Sequence, residues 1–156
     1  MLIGNQVKVD LDELDFQILR TLEEDARKSC REIAEKLGVA TGTVYNRIKK
    51  LTDERVIKGY IPVIDPGKVG YELTALILIQ VEGRYLIDVE NEMAKFDEVY
   101  YVYDITGEFD AAIAARFKTR EKLNKFIKSI LAIQHVKRTV TNVVLNVVKE
   151  DLRVKV

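Results

Sequence analysis

The chain has 156 residues, 47% hydrophobic and 32% charged, with 25 Lys plus Arg offset by 25 Asp plus Glu. That balance excludes a uniformly basic coat, so any affinity for nucleic acid has to come from a local patch. A single cysteine, Cys30, excludes an intrachain disulfide or a cysteine zinc cluster and fits a reduced, cytoplasmic setting.

Residues 1–10, MLIGNQVKVD, lack the basic start and long apolar run of a signal peptide. The longest apolar run, LTALILIQV, is about half of the ~20 residues that a membrane-spanning helix requires. From there the periodicity is helical. Leu11, Leu14, Ile18, Leu19 and Leu22 recur at helical spacing and predict a helix over about 11–25, with Asp10 as N-cap and Glu13 three residues on. A second helix is predicted from about Ser29, with Ile33, Ala34 and Leu37 inward and Gly38 ending it. A third is expected from about Thr41 to Glu54, on the stripe Val44, Ile48 and Leu51. Beyond it, VIKGYIPVI reads as two short strands around Lys58 and Gly59.

Pro62, Pro66, Gly67 and Gly70 break the chain between 60 and 73, and the pattern changes after them. ELTALILIQVE is a strand and LIDVENEMAKF a helix with Leu86, Val89 and Met93 inward. VYYVYDIT and FDAAIAARF are strands joined by a tight turn at Gly107 and Glu108. TREKLNKFIKSILAI is a helix, and VKRTVTNVVLNVV, residues 136–148, the last strand. The order βαββαβ predicts an α+β, ferredoxin-like antiparallel sheet. Two helices cover one face only, yet Leu76 and Leu78 put apolar groups on the other, as do alternate residues of the last strand. An uncovered apolar face predicts self-association, at least as a homodimer.

REIAEKLGVATGTVYNRIKKL carries the spacing of a helix-turn-helix: small Ala34 where two helices approach, Gly38 and Val39 at the turn, Val44 and Ile48 as anchors. With those inward, Gly42, Thr43, Tyr45, Asn46, Lys49 and Lys50 face outward, with Thr41 at the helix start. Asn and Lys can bond base edges in the major groove, and Thr can touch a thymine methyl. Arg47 and Lys50 sit on the flanks, toward phosphates. The expected partner is double-stranded DNA. A plain solvated helix of a small bundle is the competing reading of the same charges.

Together with LDELDFQILRTLEEDAR, GYIPVIDPGKVGY, TGEFD and RTVTNVVL, these stretches resemble the Lrp/AsnC, or feast/famine, family of transcriptional regulators over almost the whole chain. The resemblance implies a winged helix-turn-helix DNA-binding domain over 1–59, a hinge strand and linker over 60–72, and a dimerisation and effector domain over 73–156. It also implies dimers that join into octamers, and an amino acid as effector. Ala40 stands where the family often has a capping serine, so Thr41 or Thr43 is expected to cap instead; Asn46 replaces a frequent basic residue. Gly107 and Asp110 match the family's Gly-x-x-Asp signature. Backbone N–H groups at Gly107 suit a carboxylate, and Asp110 suits an ammonium. Glu108 at the turn tip, with Thr139 and Thr141 on the last strand, completes the candidate effector set. The plain alternative is hairpin geometry for the glycine and strand propensity for the threonines.

No phosphate loop, metal-spaced cluster or Ser-His-Asp set is present, so neither a cofactor nor an enzyme is expected. His135 reads as a turn residue; Cys30, Tyr100, Tyr101 and Tyr103 read as packing residues. Two further functions share this organisation. One is an architectural protein that wraps DNA with little sequence choice. The other is a sirohaem decarboxylase-like subunit, which calls for clustered histidines where this chain has His135 alone.

Overall fold

The computed structural model describes residues 8–156, so the first seven residues of the stretch considered for a signal peptide lie outside it. The chain divides into two units. One runs to Pro62 and takes in Asp151–Val156; the other is Val63–Glu150.

The described residues of the first unit form three helices around a small core. Helix α1 spans Glu13–Glu24 and is capped by Asp12, not Asp10. The Asp12 carboxylate accepts the Asp15 N–H at 3.0 Å, and the Asp15 carboxylate accepts the Asp12 N–H at 3.2 Å. Acid-x-x-acid spacing occurs twice here, at Asp10/Glu13 and at Asp12/Asp15. The second pair prevails because it also buries Asp15 against a cation, described below. Helix α2, Cys30–Leu37, opens on a capping box between Ser29 and Glu32 and closes on Gly38 at φ 69°, a left-handed turn that glycine adopts without strain. Helix α3 spans Thr41–Asp53 with Ala40 at its N-cap, so neither Thr41 nor Thr43 caps it. Ile18, Leu22, Ile33, Ala34, Val44 and Leu51 form the buried cluster, with Val39, Ile48, Val56 and Ile57 packed at its margin.

The two short strands expected over VIKGYIPVI are absent. After α3, Arg55 turns left-handed at φ 58°. The Val56 and Ile57 N–H groups both donate to the Leu51 carbonyl, at 2.8 and 3.0 Å. Those bonds fold the segment back onto the helix end and occupy the groups a hairpin ladder would use. From Tyr60 to Ile64 the chain is irregular and its apolar side chains are exposed.

The second unit is a four-stranded antiparallel sheet with two helices. Strand β1 is Leu73–Val81, helix α4 Leu86–Met93, strand β2 Val99–Asp104, strand β3 Ala111–Phe117, helix α5 Arg120–Leu131 and strand β4 Val136–Val143. The order across the sheet is β2-β3-β1-β4. Ala75, Ile77, Ile79 and Val81 of β1 share one face with Ala111, Ile113, Ala115 and Phe117 of β3. Val89 and Met93 of α4 and Leu123, Phe126 and Ile130 of α5 complete that buried core. Strand β4 stops at Val143, five residues short of the expected end. Its last ladder bond, Val144 N–H to the Thr74 carbonyl at 2.9 Å, lies where β1 begins, and beyond it no strand among the described residues lies alongside. Leu145 and Val148 are accordingly almost fully exposed.

The opposite face is defined by register. Tyr103, Ala112, Leu78 and Val140 lie in one row across all four strands, and Tyr101, Ala114, Leu76 and Asn142 in the next. Direct partners in an antiparallel ladder point to the same side. This face is therefore apolar and aromatic, with Leu76 and Tyr103 about half exposed. Between α5 and β4, His135 adopts φ 72° and stacks on Tyr85 with ring centroids 3.4 Å apart, its Nδ1 3.1 Å from Glu82.

Candidate nucleic-acid interface and ligand site

Helix α3 presents its outward residues as a consequence of what it buries. Val44 and Leu51 are fully buried, whereas Thr41, Gly42, Thr43, Tyr45, Asn46, Lys49 and Lys50 are all exposed. An added Cβ at Gly42 would meet nothing within 4 Å, so the fold itself does not demand glycine there. Lys49 pairs with Asp53 one turn on, at 2.9 Å.

Arg47 is placed differently from its neighbours. Its Nη1 donates to Asp12 Oδ2 at 2.6 Å and to both carboxylate oxygens of Asp15 at 3.2 Å. Asp15 is fully buried. The guanidinium thus ties α3 to the N-terminus of α1, and one of its nitrogens is already engaged within the fold. The capping bond from Asp15 and the Arg47 guanidinium hold the Asp12 carboxyl below its usual range, and the same acids raise the Arg47 pKa.

Lysines and an arginine from outside α3 join its far end. Lys8, Lys50, Arg55 and Lys58 stand around one open groove, four cations against the two acids Asp10 and Glu54. Lys8, Arg55 and Lys58 were not among the expected contacts. The sequence signal for the latter two was the pair of cations in ERVIKGY directly after the helix.

In the second unit the turn 105–110 and strand β4 come together through Glu108, which pairs with Arg138 at 3.3 Å. Arg138 also lies over the Phe109 ring, 5.6 Å from its centroid. Gly107 has φ 128°, a conformation that side chains other than hydrogen rarely adopt. Asp110 has a definite task in the fold: its Oδ2 accepts the Val81 N–H at 2.8 Å, where the β1–β4 register shifts between Gln80 and Val81. Thr139 pairs with Ile79 and Thr141 with Ile77, so both threonines lie on the helix-covered face, half-buried.

The two units correspond to two family models. Residues 11–58 match one described as winged helix-turn-helix DNA-binding, and residues 74–154 one described as the Lrp/AsnC ligand binding domain. The chain belongs to the Lrp/AsnC family. A Pyrococcus furiosus protein described as an uncharacterized HTH-type transcriptional regulator is 48% identical over 147 residues, 94% of this chain and 99% of that one. The HTH-type transcriptional regulator FL11 of Pyrococcus horikoshii is 38% identical over 144 residues, 92% of this chain and 95% of its own. Among solved structures, Escherichia coli AsnC superposes with a TM-score of 0.86 at 26% identity, covering 94% of this chain and 99% of AsnC. A Neisseria meningitidis transcriptional regulator in complex with L-Met gives a TM-score of 0.84 at 25% identity, covering 92% and 95%. This Lrp/AsnC chain is therefore an α+β protein of helix-turn-helix and sheet units, as its sequence pattern implied. Among its described residues no helix is long and apolar enough to cross a membrane, and no cluster of three or more His, Cys, Asp or Glu suits a metal.

Proposed function

We propose that the chain is a cytoplasmic, sequence-specific DNA-binding regulator of transcription that responds to an amino acid. The observation that carries this is the orientation of α3: a buried Val44–Leu51 side fixes an exposed side rich in hydrogen-bonding groups. Asn46, Lys49, Thr43 and Tyr45 face base edges, while Lys50 and the Thr41–Gly42 backbone approach phosphates, the bare Gly42 allowing close contact. Arg47 acts first as the brace that sets the pitch of α3 on α1, and its remaining edge adds a phosphate contact.

The effector reading rests on the 105–110 turn. Gly107 backbone N–H and the tip at Glu108 suit a carboxylate; the second oxygen of Asp110 suits an ammonium, and Thr139 and Thr141 add hydroxyls. The L-Met complex of the Neisseria relative supports an amino acid as the ligand class. The Tyr103–Val140 and Tyr101–Asn142 rows supply the face on which two copies pair, and dimers join further into an octamer. A dimer sets two recognition helices on half-sites one or more helical turns apart.

Two substitutions test the DNA reading. Lys50→Ala is expected to weaken binding to all sequences and flatten its salt dependence by about one unit per subunit. Asn46→Ala is expected to leave that slope alone and relax preference at particular base pairs, by roughly 1–3 kcal/mol at each. Equal loss on all sequences from both variants would instead favour an architectural, sequence-blind role.

A further inference from the structure

The helix layer of the second unit is divided by charge. Helix α4 exposes Asp88 and Glu92, with Asp97 just beyond its end. Helix α5 buries Leu123, Phe126 and Ile130 against the sheet and exposes Lys122, Lys125 and Lys128, with Lys118 and Arg120 before them. Its one acid, Glu121, is held at the helix start, where its own backbone N–H and the Thr119 hydroxyl keep its carboxyl below the usual range. Elsewhere exposed cations have acidic partners in both units: Arg31 pairs with Glu35 and Lys36 with Glu24 in the first, Lys95 with Glu92 and Arg138 with Glu108 in the second. Among the described residues, Lys122, Lys125 and Lys128 have no such partner. On β4, which packs beside α5, Lys137 is also exposed and unpaired among the described residues.

Spacing and composition narrow the partner. Three residues apart on a helix, the lysines follow one stripe and span about 9 Å of its axis. Each DNA strand offers one phosphate per about 3.4 Å of duplex axis, so the stripe matches two or three successive phosphates. Protein interfaces are depleted in lysine and anchored by aromatic residues, which this stripe lacks. Lysine on a flexible stem is a phosphate ligand that carries no sequence information. The neighbouring α4 offers no such stripe: its exposed Asp88 is acidic, and Glu92 is paired with Lys95.

We propose that the exposed face of α5 is a second, sequence-independent contact for the DNA phosphate backbone. This rests on the reading of the chain as a DNA-binding regulator. The test compares the full chain with the triple variant Lys122→Gln/Lys125→Gln/Lys128→Gln and its Lys→Arg counterpart. Binding is titrated with salt on mixed-sequence duplexes of about 20 bp, two helical turns, and about 150 bp, one persistence length.

On the long duplex the Gln variant is expected to flatten the log–log salt slope by about 2.7 units per bound subunit. Across a fourfold rise in salt, the unaltered chain then loses roughly 40-fold more affinity than the variant. The Arg variant should keep the original slope on both lengths. Surface substitutions of this kind change stability little; should the triple variant fail to fold, Lys125→Gln alone is expected to remove about one unit. Equal slopes for the unaltered chain and the Gln variant on the long duplex would overturn the proposal. Smaller assemblies of the variant without DNA, at unchanged slope, would overturn it too and make the face a contact between copies. Lys50→Ala separates the two readings: its failure to weaken binding at either length would sink the role of α3, whatever α5 does.

Discussion

The two units reach stability by different means. In the sheet unit, thirteen buried side chains form the core cluster and all of them are apolar. Among its described residues the helical unit has six buried apolar ones, and it also buries Asp15 and Thr21. Its helices depend on polar fastenings: capping boxes at Asp12 and Ser29, the Arg47–Asp15 pair and the Glu24–Lys36 bridge. The difference teaches where orientation comes from. An apolar core tolerates adjustment, whereas a buried charge has few acceptable partners, and here one partner lies on α3. The brace that stabilises the unit also sets the angle of its outward face.

The largest expected effect breaks that brace. Asp15→Ala should destabilise the helical unit by about 3 kcal/mol, the low end for breaking a buried pair because Arg47 keeps partial access to water. The thermal transition of the sheet unit should stay put. Calorimetry and denaturant titration on the full chain would check both, and a coincident fall of the two units would erase the distinction.

Acid sharpens the same contrast. In the helical unit Asp12, Glu24, Asp25 and Glu32 all have lowered pKa values, each through its hydrogen bonds, and the Arg27 bonds take Asp25 down to about 2. A carboxylate with a depressed folded pKa contributes stability above its unfolded value that is lost as pH falls through the folded one. In the sheet unit Glu121 is lowered, but burial and the nearby Asp104 push Glu90 up, and its Oε1 is buried with no partner among the described residues. A raised carboxyl has the opposite sign: protonation favours the folded state. Lowering the pH from about 5 to about 2 should therefore melt the helical unit first, as followed by far-UV circular dichroism against pH.

The smallest effect separates fold from function within α3. Gly42→Ala meets no steric obstacle and should stabilise the helix by no more than about 1 kcal/mol. If the bare backbone approaches phosphate, the same change should weaken DNA binding roughly tenfold, about 1.4 kcal/mol. A variant both more stable and fully competent would mean that the glycine is merely tolerated.

Local signals in the sequence were sufficient for much of this. The Val44, Ile48 and Leu51 spacing together with Gly38 located α3 and its exposed side, and the period-two run in β1 identified its buried face. What escaped depended on partners distant in the chain. Arg47 looked like another outward cation because Asp15, 32 residues earlier, cannot be recognised as buried from its neighbours. The structural task of Asp110 escaped too, because nothing local marks the irregularity that leaves it the Val81 N–H to satisfy. The alternation of YIPVI suggested strands, but strands form only where another backbone lies alongside.

The central claim is that the exposed side of α3 reads base sequence and that the second unit makes this reading responsive. Selection of bound fragments from genomic DNA by the purified full chain, with and without a mixture of amino acids, tests it most directly. The account predicts a recurrent pair of half-sites about one or more helical turns apart, with occupancy that changes when amino acids are present. Recovery of fragments with no shared site in either condition would contradict it.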